Sequence, residues 1–154
     1  MFTGCGTALV TPFRRDLSLD EETLRRLVRR QMEAGVNFLV PCGTTGESPT
    51  LTRAEHLRVV GIALEEARGK VPVLAGVIPL KSAGMARFMN KSVAGINVPQ
   101  SMIDKISKAE DKTKTGIEMC GELIKQLKGM CQGVHIMPIG WEKKVPDIIK
   151  AAGL

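Results

Sequence analysis

The sequence predicts an α/β fold built on a parallel sheet. Three observations carry this: apolar runs of strand length recur at 7–10, 36–40, 71–77 and 134–138; segments of helical periodicity lie between and after them; and Gly35, Gly69 and Gly129 close three of those helices. Strands that alternate with helices pair in parallel through right-handed crossovers, and strands of such sheets read as short continuous apolar runs. With 154 residues, 44% of them hydrophobic, the chain has material for one ordinary core, so a single domain over 1–154 is expected.

The run Thr7-Ala-Leu-Val10, followed by Thr11-Pro12, suits a buried first strand that leads into a loop. Ser18-Leu-Asp-Glu21 has the spacing of a capping box and opens a helix with Leu24, Leu27 and Val28 on one face. After the second strand, Thr52-Arg-Ala-Glu55 caps a second helix whose apolar face includes Leu57, Val60 and Leu64. The third strand, 71–77, carries Pro72 near its start, where a missing N–H does least harm. Two modest helices follow at 82–91 and 99–109, with Gly95 in their connection and Pro99 suited to a first turn. A longer helix, 112–128, places Ile117, Leu123, Ile124 and Leu127 on its apolar side, and 142–152 is the closing helix. Four strands cannot close a barrel unaided, so something must cover the sheet's other face.

Composition excludes several classes. The formal net charge is +6, yet there is no tyrosine, only one tryptophan, and the basic residues alternate with acids, which describes a solvated surface rather than a nucleic-acid interface. No apolar stretch approaches the ~20 residues that span a bilayer. The first residues lack the charged and apolar regions of a signal peptide, so a cytoplasmic protein is expected. Cys5, Cys42, Cys120 and Cys131 lack metal or redox spacing and read as reduced packing residues. His135 reads as a side chain packed or hydrogen-bonded in the fourth strand and His56 as a partly exposed helix residue; neither has ligand-spaced partners, so no metal is expected. Glu47, a lone loop carboxylate, more readily caps or bridges than acts as a base. No dinucleotide or phosphate-loop motif is present, and no cofactor is expected.

Basic residues change character along the chain. Residues 1–70 hold nine Arg and one Lys, whereas 71–154 hold one Arg and eleven Lys; methionine shifts from two to six across the same divide. No linker rich in Gly, Pro or Ser marks the place, which suggests two origins joined inside one domain.

Gly4-Cys-Gly-Thr-Ala-Leu-Val-Thr-Pro-Phe13, Gly43-Thr-Thr-Gly-Glu-Ser48 and Val71-Pro-Val-Leu-Ala-Gly76 together resemble the dihydrodipicolinate synthase and N-acetylneuraminate lyase family over about residues 1–77. The resemblance implies the opening of a (βα)8 barrel. Pro79-Leu-Lys-Ser-Ala-Gly-Met85, Gly95-Ile-Asn-Val-Pro-Gln100, Gly116-Ile-Glu118 and Gly133-Val-His-Ile-Met137 resemble the C-terminal end of bacterial methylenetetrahydrofolate reductases, also (βα)8 barrels, over about 71–154. The seam would lie within 71–77. The expected fold is therefore four βα units forming half a barrel, completed to eight strands by a homodimer that pairs first and fourth strand edges. The alternative is a doubly wound, flavodoxin-like sheet.

In the lyase family Thr44 and Thr45 would correspond to residues that hold the pyruvate carboxylate and relay protons, with Gly43 and Gly46 shaping the turn; a small anion is the expected ligand of this loop. The family's Schiff-base lysine lies on a later strand, and its relay tyrosine has no counterpart. Lys70 precedes the third strand; Lys81 follows it and is the candidate amine, but with no apolar pocket evident it should stay a protonated surface lysine. The resulting expectation is a recombined or engineered half-barrel scaffold without catalysis. Two alternatives are an anion-binding remnant lyase using the Gly43–Gly46 loop and a self-associating module.

Overall fold

The structure, a computed structural model, describes residues 3–93 and 96–154. The elements run β1 (Gly6–Ala8), α1 (Glu21–Glu33), β2 (Phe38–Val40), α2 (Arg53–Ala67), β3 (Leu74–Val77), α3 (Ala83–Ser92), α4 (Gln100–Lys108), α5 (Lys112–Leu127), β4 (Gly133–Ile136) and α6 (Val145–Ala151). Short 3-10 turns occupy Thr44–Gly46, Ser48–Thr50 and Glu142–Lys144. The alternation of strands and helices is the α/β pattern expected. Two compact units result, one running to Ala75 and including Cys131–Gly133, the other made of Gly76–Met130 and Val134–Leu154. Gly95 lies outside the described residues.

In the first unit β1 pairs with β2 in parallel, Gly6 opposite Phe38 and Ala8 opposite Val40, and Leu39 bridges Val73 in the same sense. A methyl group on Gly6 would fall 1.9 Å from the Phe38 ring, so the glycine makes room for that ring. Helices α1 and α2 cover one face of this sheet. Leu24 and Val28 of α1 meet Val59, Ile62, Ala63 and Ala67 of α2 in one cluster with Leu9, Leu39 and Val73. Each fully buried Leu, Ile or Val contributes about 1.5–3 kcal/mol. Gly6, Ala8 and Val10, on the opposite face, are exposed. The expected burial of the first strand is thus corrected: only alternate residues, such as Leu9, reach the core.

Two helix details also differ from expectation. Asp20, not Ser18, caps α1, its carboxylate accepting the Thr23 N–H at 3.0 Å, while the Ser18 hydroxyl donates to Asp16 at 2.7 Å. Glu21, which would complete a box with Ser18, instead accepts from Arg58 Nε at 2.8 Å. On α2 the Thr52–Glu55 capping box forms as expected. Its buried stripe, however, is Val59, Ile62, Ala63 and Ala67, and Leu57 is 60% exposed. The helix carries two apolar stripes, and the one with small alanines permits the closer approach of α1. Arginines then tie the pair from outside: Arg25 contacts Glu65 and Glu66 at 2.6 and 2.9 Å, and Arg29 contacts Glu66 at 2.7 Å.

β3 and β4 form a two-stranded sheet. Val77 packs with Cys120 and Ile124 of α5 and Ile148 of α6, while Leu80, Ala86, Ile103, Ile106 and Met119 form a further cluster. Close approach explains glycines inside α5. A methyl on Gly116 would lie 2.3 Å from the Leu80 carbonyl, and one on Gly121 2.7 Å from the Ala151 methyl. Ser82 and Asp111 cap α3 and α5 through the Met85 and Lys114 N–H groups. Pro99 sits at the cap of α4 rather than in its first turn. The closing helix begins as a 3-10 turn, so α6 itself is shorter than 142–152. His135 is exposed, not packed in the sheet, because β4 is only half-covered. Cys5 is likewise exposed rather than a packing residue. Among the described residues no helix is long and apolar enough to cross a membrane.

Candidate active site: the turn after the second strand

β1 and β2 are parallel, so their C-terminal ends lie together, and the segment 41–51 leaves from that end. Gly43 leads into the turn Thr44–Gly46. The Gly46 N–H donates to the Gly43 carbonyl at 3.0 Å and the Glu47 N–H to the Thr44 carbonyl at 3.1 Å. The amides of Thr44 and Thr45 take no part in these bonds, and both side chains are exposed.

The turn is pressed onto the end of β1. Thr11, the buried polar residue of this region at 3% exposure, donates its hydroxyl to the Gly46 carbonyl at 2.7 Å. A methyl on Gly46 would lie 2.8 Å from the Leu9 carbonyl oxygen, so only glycine fits without displacing backbone. Gly43 has no such neighbour. Cys42 and Glu47, at φ 54° and 53°, adopt the left-handed conformation on either side of the turn. Such positions cost of order 1 kcal/mol or more for non-glycine residues and persist where surrounding structure holds them.

Other candidates are placed as follows. Glu47 is exposed, and its carbonyl accepts the Thr50 hydroxyl at 2.9 Å. His56 is half-buried, with its Nδ1 3.4 Å from the Ser48 hydroxyl. Burial pushes the Cys42 thiol up to about 11, which removes it as a nucleophile near neutral pH. Among the described residues no group of three His, Cys, Asp or Glu side chains converges as a metal site. Lys81, in the second unit, departs from the expected surface lysine: it is half-buried, donates to the Ile139 carbonyl, and borders an apolar cavity of about 440 Å³. Sequence reasoning placed the turn but missed Thr11. The available signal was a lone hydroxyl at the end of an apolar run, immediately before a proline.

A parallel α/β unit with a Gly/Thr turn braced at the C-terminal ends of its strands is the construction of the ligand-bearing end of a βα barrel. The chain belongs to the dihydrodipicolinate synthetase family, whose model matches residues 1–81. Over 74 residues it is 58% identical to 4-hydroxy-tetrahydrodipicolinate synthase from Chloroherpeton thalassium and 60% identical to that from Acidobacterium capsulatum, covering 48% of this chain and 24% of each relative. The chain thus spans about a quarter of the length of these curated relatives. A solved monomeric dihydrodipicolinate synthase variant superposes on 99% of the chain with TM-score 0.56 and 30% identity, covering 39% of that protein. The chain thus shares an α/β fold with that protein over nearly its whole length. These matches overturn the expectation of a recombined or engineered scaffold that is not an enzyme: the relatives that share this half at 58 and 60% identity are named for a catalysed reaction.

Proposed function

We propose that the chain serves a 4-hydroxy-tetrahydrodipicolinate synthase-type enzyme by holding an α-keto acid, such as pyruvate, through its carboxylate on residues Gly43, Thr44, Thr45 and Gly46. The observation that carries this is the buried 2.7 Å bond from Thr11 to Gly46, which fixes the turn while its first two amides and hydroxyls stay available. Preorganised N–H and O–H donors bind an anion without the cost of ordering a loop. With no tyrosine in the sequence, the hydroxyls available to pass a proton at this turn are those of Thr44 and Thr45.

The test is thermal unfolding with pyruvate against chloride at equal ionic strength. At ten times its dissociation constant a ligand stabilises by about 1.4 kcal/mol, or roughly 3–5 °C for a chain of this size. The shift should vanish in the Thr44→Val/Thr45→Val double variant. An equal shift in that variant, or none in the parent, ends the proposal.

A second proposal concerns assembly, with 1–154 acting as one domain in the cytoplasm. Among the described residues β1 pairs with β2 and β4 with β3, which leaves β1 and β4 each with an edge lacking a strand partner, and Gly6 and Ala8 of β1 are exposed, as is Val10 just beyond it. A two-fold homodimer joining β1 of one copy to β4 of another would use both edges. Light scattering at micromolar concentration distinguishes it from a monomer.

A further inference from the structure

The second unit has a cavity of about 440 Å³ whose walls include Met85, Phe88 and Met89 of α3 and Ile139 of the loop after β4. That volume lies in the range of small-molecule sites. Its rim is an exposed apolar patch, with Phe88 62% and Ile139 55% exposed. Large apolar side chains left in water around a concavity mark a binding surface.

The polar groups at its edge are of one kind. Lys81 and Ser82 line the cavity, and among the described residues no carboxylate does. Lys81 donates one proton to the Ile139 carbonyl, so two of its three donors remain. The Ser82 oxygen accepts the Met85 N–H at 3.1 Å, which leaves the hydroxyl proton to donate. Glu142 feels the Lys81 charge, but its carboxylate accepts the Gly140 N–H at 2.9 Å and it does not line the cavity. Ile139 holds φ 48°, an unfavourable conformation for a β-branched residue, and its carbonyl is the one that receives Lys81. The ammonium is thereby tethered at the mouth of an apolar space.

We propose that this cavity binds a small amphiphilic carboxylate, its aliphatic tail against Met85, Phe88 and Met89 and its carboxylate on Lys81 and Ser82. Methionine and phenylalanine walls adapt to flexible chains, and a donor-only edge selects an acid over an alcohol or an amine.

The experiment is calorimetric titration of the full chain with hexanoate, octanoate and decanoate, with octanol and octylamine as controls, followed also through the single tryptophan, Trp141. Each added methylene should tighten binding by about threefold to fourfold. Octanoate should bind at least tenfold tighter than octanol, and Lys81→Gln should lose that preference while Lys81→Arg keeps most of it. Phe88→Ser should weaken all three acids alike; both positions are at least partly exposed, and unchanged thermal unfolding verifies the fold. Equal affinity for octanol and octanoate overturns the proposal. So does an absence of saturable binding accompanied by self-association that Phe88→Ser abolishes, which would assign the patch to a second copy.

Discussion

Replacing Gly46 by alanine should be costly, while the same change at Gly43 should not. At Gly46 the new methyl would sit 2.8 Å from the Leu9 carbonyl and 3.4 Å from the Thr11 hydroxyl. The closer neighbour is backbone, and Leu9 is itself 3% exposed, so neither side yields easily. Overpacking of this kind costs about 1–3 kcal/mol. Displacing the turn also stretches the 2.7 Å Thr11 bond, worth a further ~1 kcal/mol. Gly43 has φ −75° and nothing within 4 Å of a methyl, so alanine there is accommodated and stabilises by up to about 1 kcal/mol through the unfolded chain. The two variants should therefore differ by about 2–5 kcal/mol. Urea unfolding followed by circular dichroism reads this as midpoints separated by at least roughly 0.7 M, for slopes of about 1–3 kcal/mol/M. If Gly46→Ala unfolds within about 0.5 kcal/mol of the parent, the turn is not braced against β1 and the preorganisation argued for the anion site fails with it.

Three further outcomes are expected. Hydrogen bonds from Arg29 and then Arg25 hold the Glu66 carboxyl at about 2, against 4.5 for the free group. The stability this confers is complete above pH 4.5 and is lost as pH falls toward 2, so Glu66→Gln should flatten the acid limb of the pH–stability curve in that window. On α2, Ile62→Ala should cost about 2–5 kcal/mol by opening the core, whereas Leu57→Ala should stay within about 0.5 kcal/mol; comparable costs would show that the second apolar stripe is covered. With Ellman's reagent, exposed Cys5 should react first, and Cys42 and Cys120, both pushed up to about 11 by burial, should react only on unfolding.

The order and type of the elements were legible because they rest on local chemistry. Thr52 and Glu55 are three residues apart on one turn, and their mutual capping needs no knowledge of the remainder of the chain. The same reasoning failed at Ser18 because the competitor was distant: Glu21 had a stronger partner in Arg58, on another helix. It failed on α2 for a related reason. Leu57 and Val60 satisfy helical periodicity as well as Val59, Ile62 and Ala63 do, yet Leu57 lies in water, whereas Leu64 packs against the core as expected. The first strand was read as buried from its apolar run alone, but an apolar run cannot reveal that helices cover one face of a sheet and leave Gly6, Ala8 and Val10 in water.

The candidate site divides along the same line. The turn announced itself by two glycines around two threonines after an apolar run, but the two glycines are not equivalent. Gly43 keeps open space, while Gly46 is confined by a carbonyl of the preceding parallel strand. Only the pairing of β1 with β2 brings that carbonyl there. Lys81 is the sharper case. Its neighbours in sequence describe an ordinary lysine at a helix entrance, and the reading of a solvated surface amine followed from them. What changes its setting is Ile139, a β-branched residue at positive φ that turns its carbonyl to the ammonium, together with an α3 face left open at Phe88. Neither feature has a periodicity or a motif. Both follow from how the loop after β4 meets the segment after β3, which is where a single amine acquires the apolar surroundings that let it select a ligand.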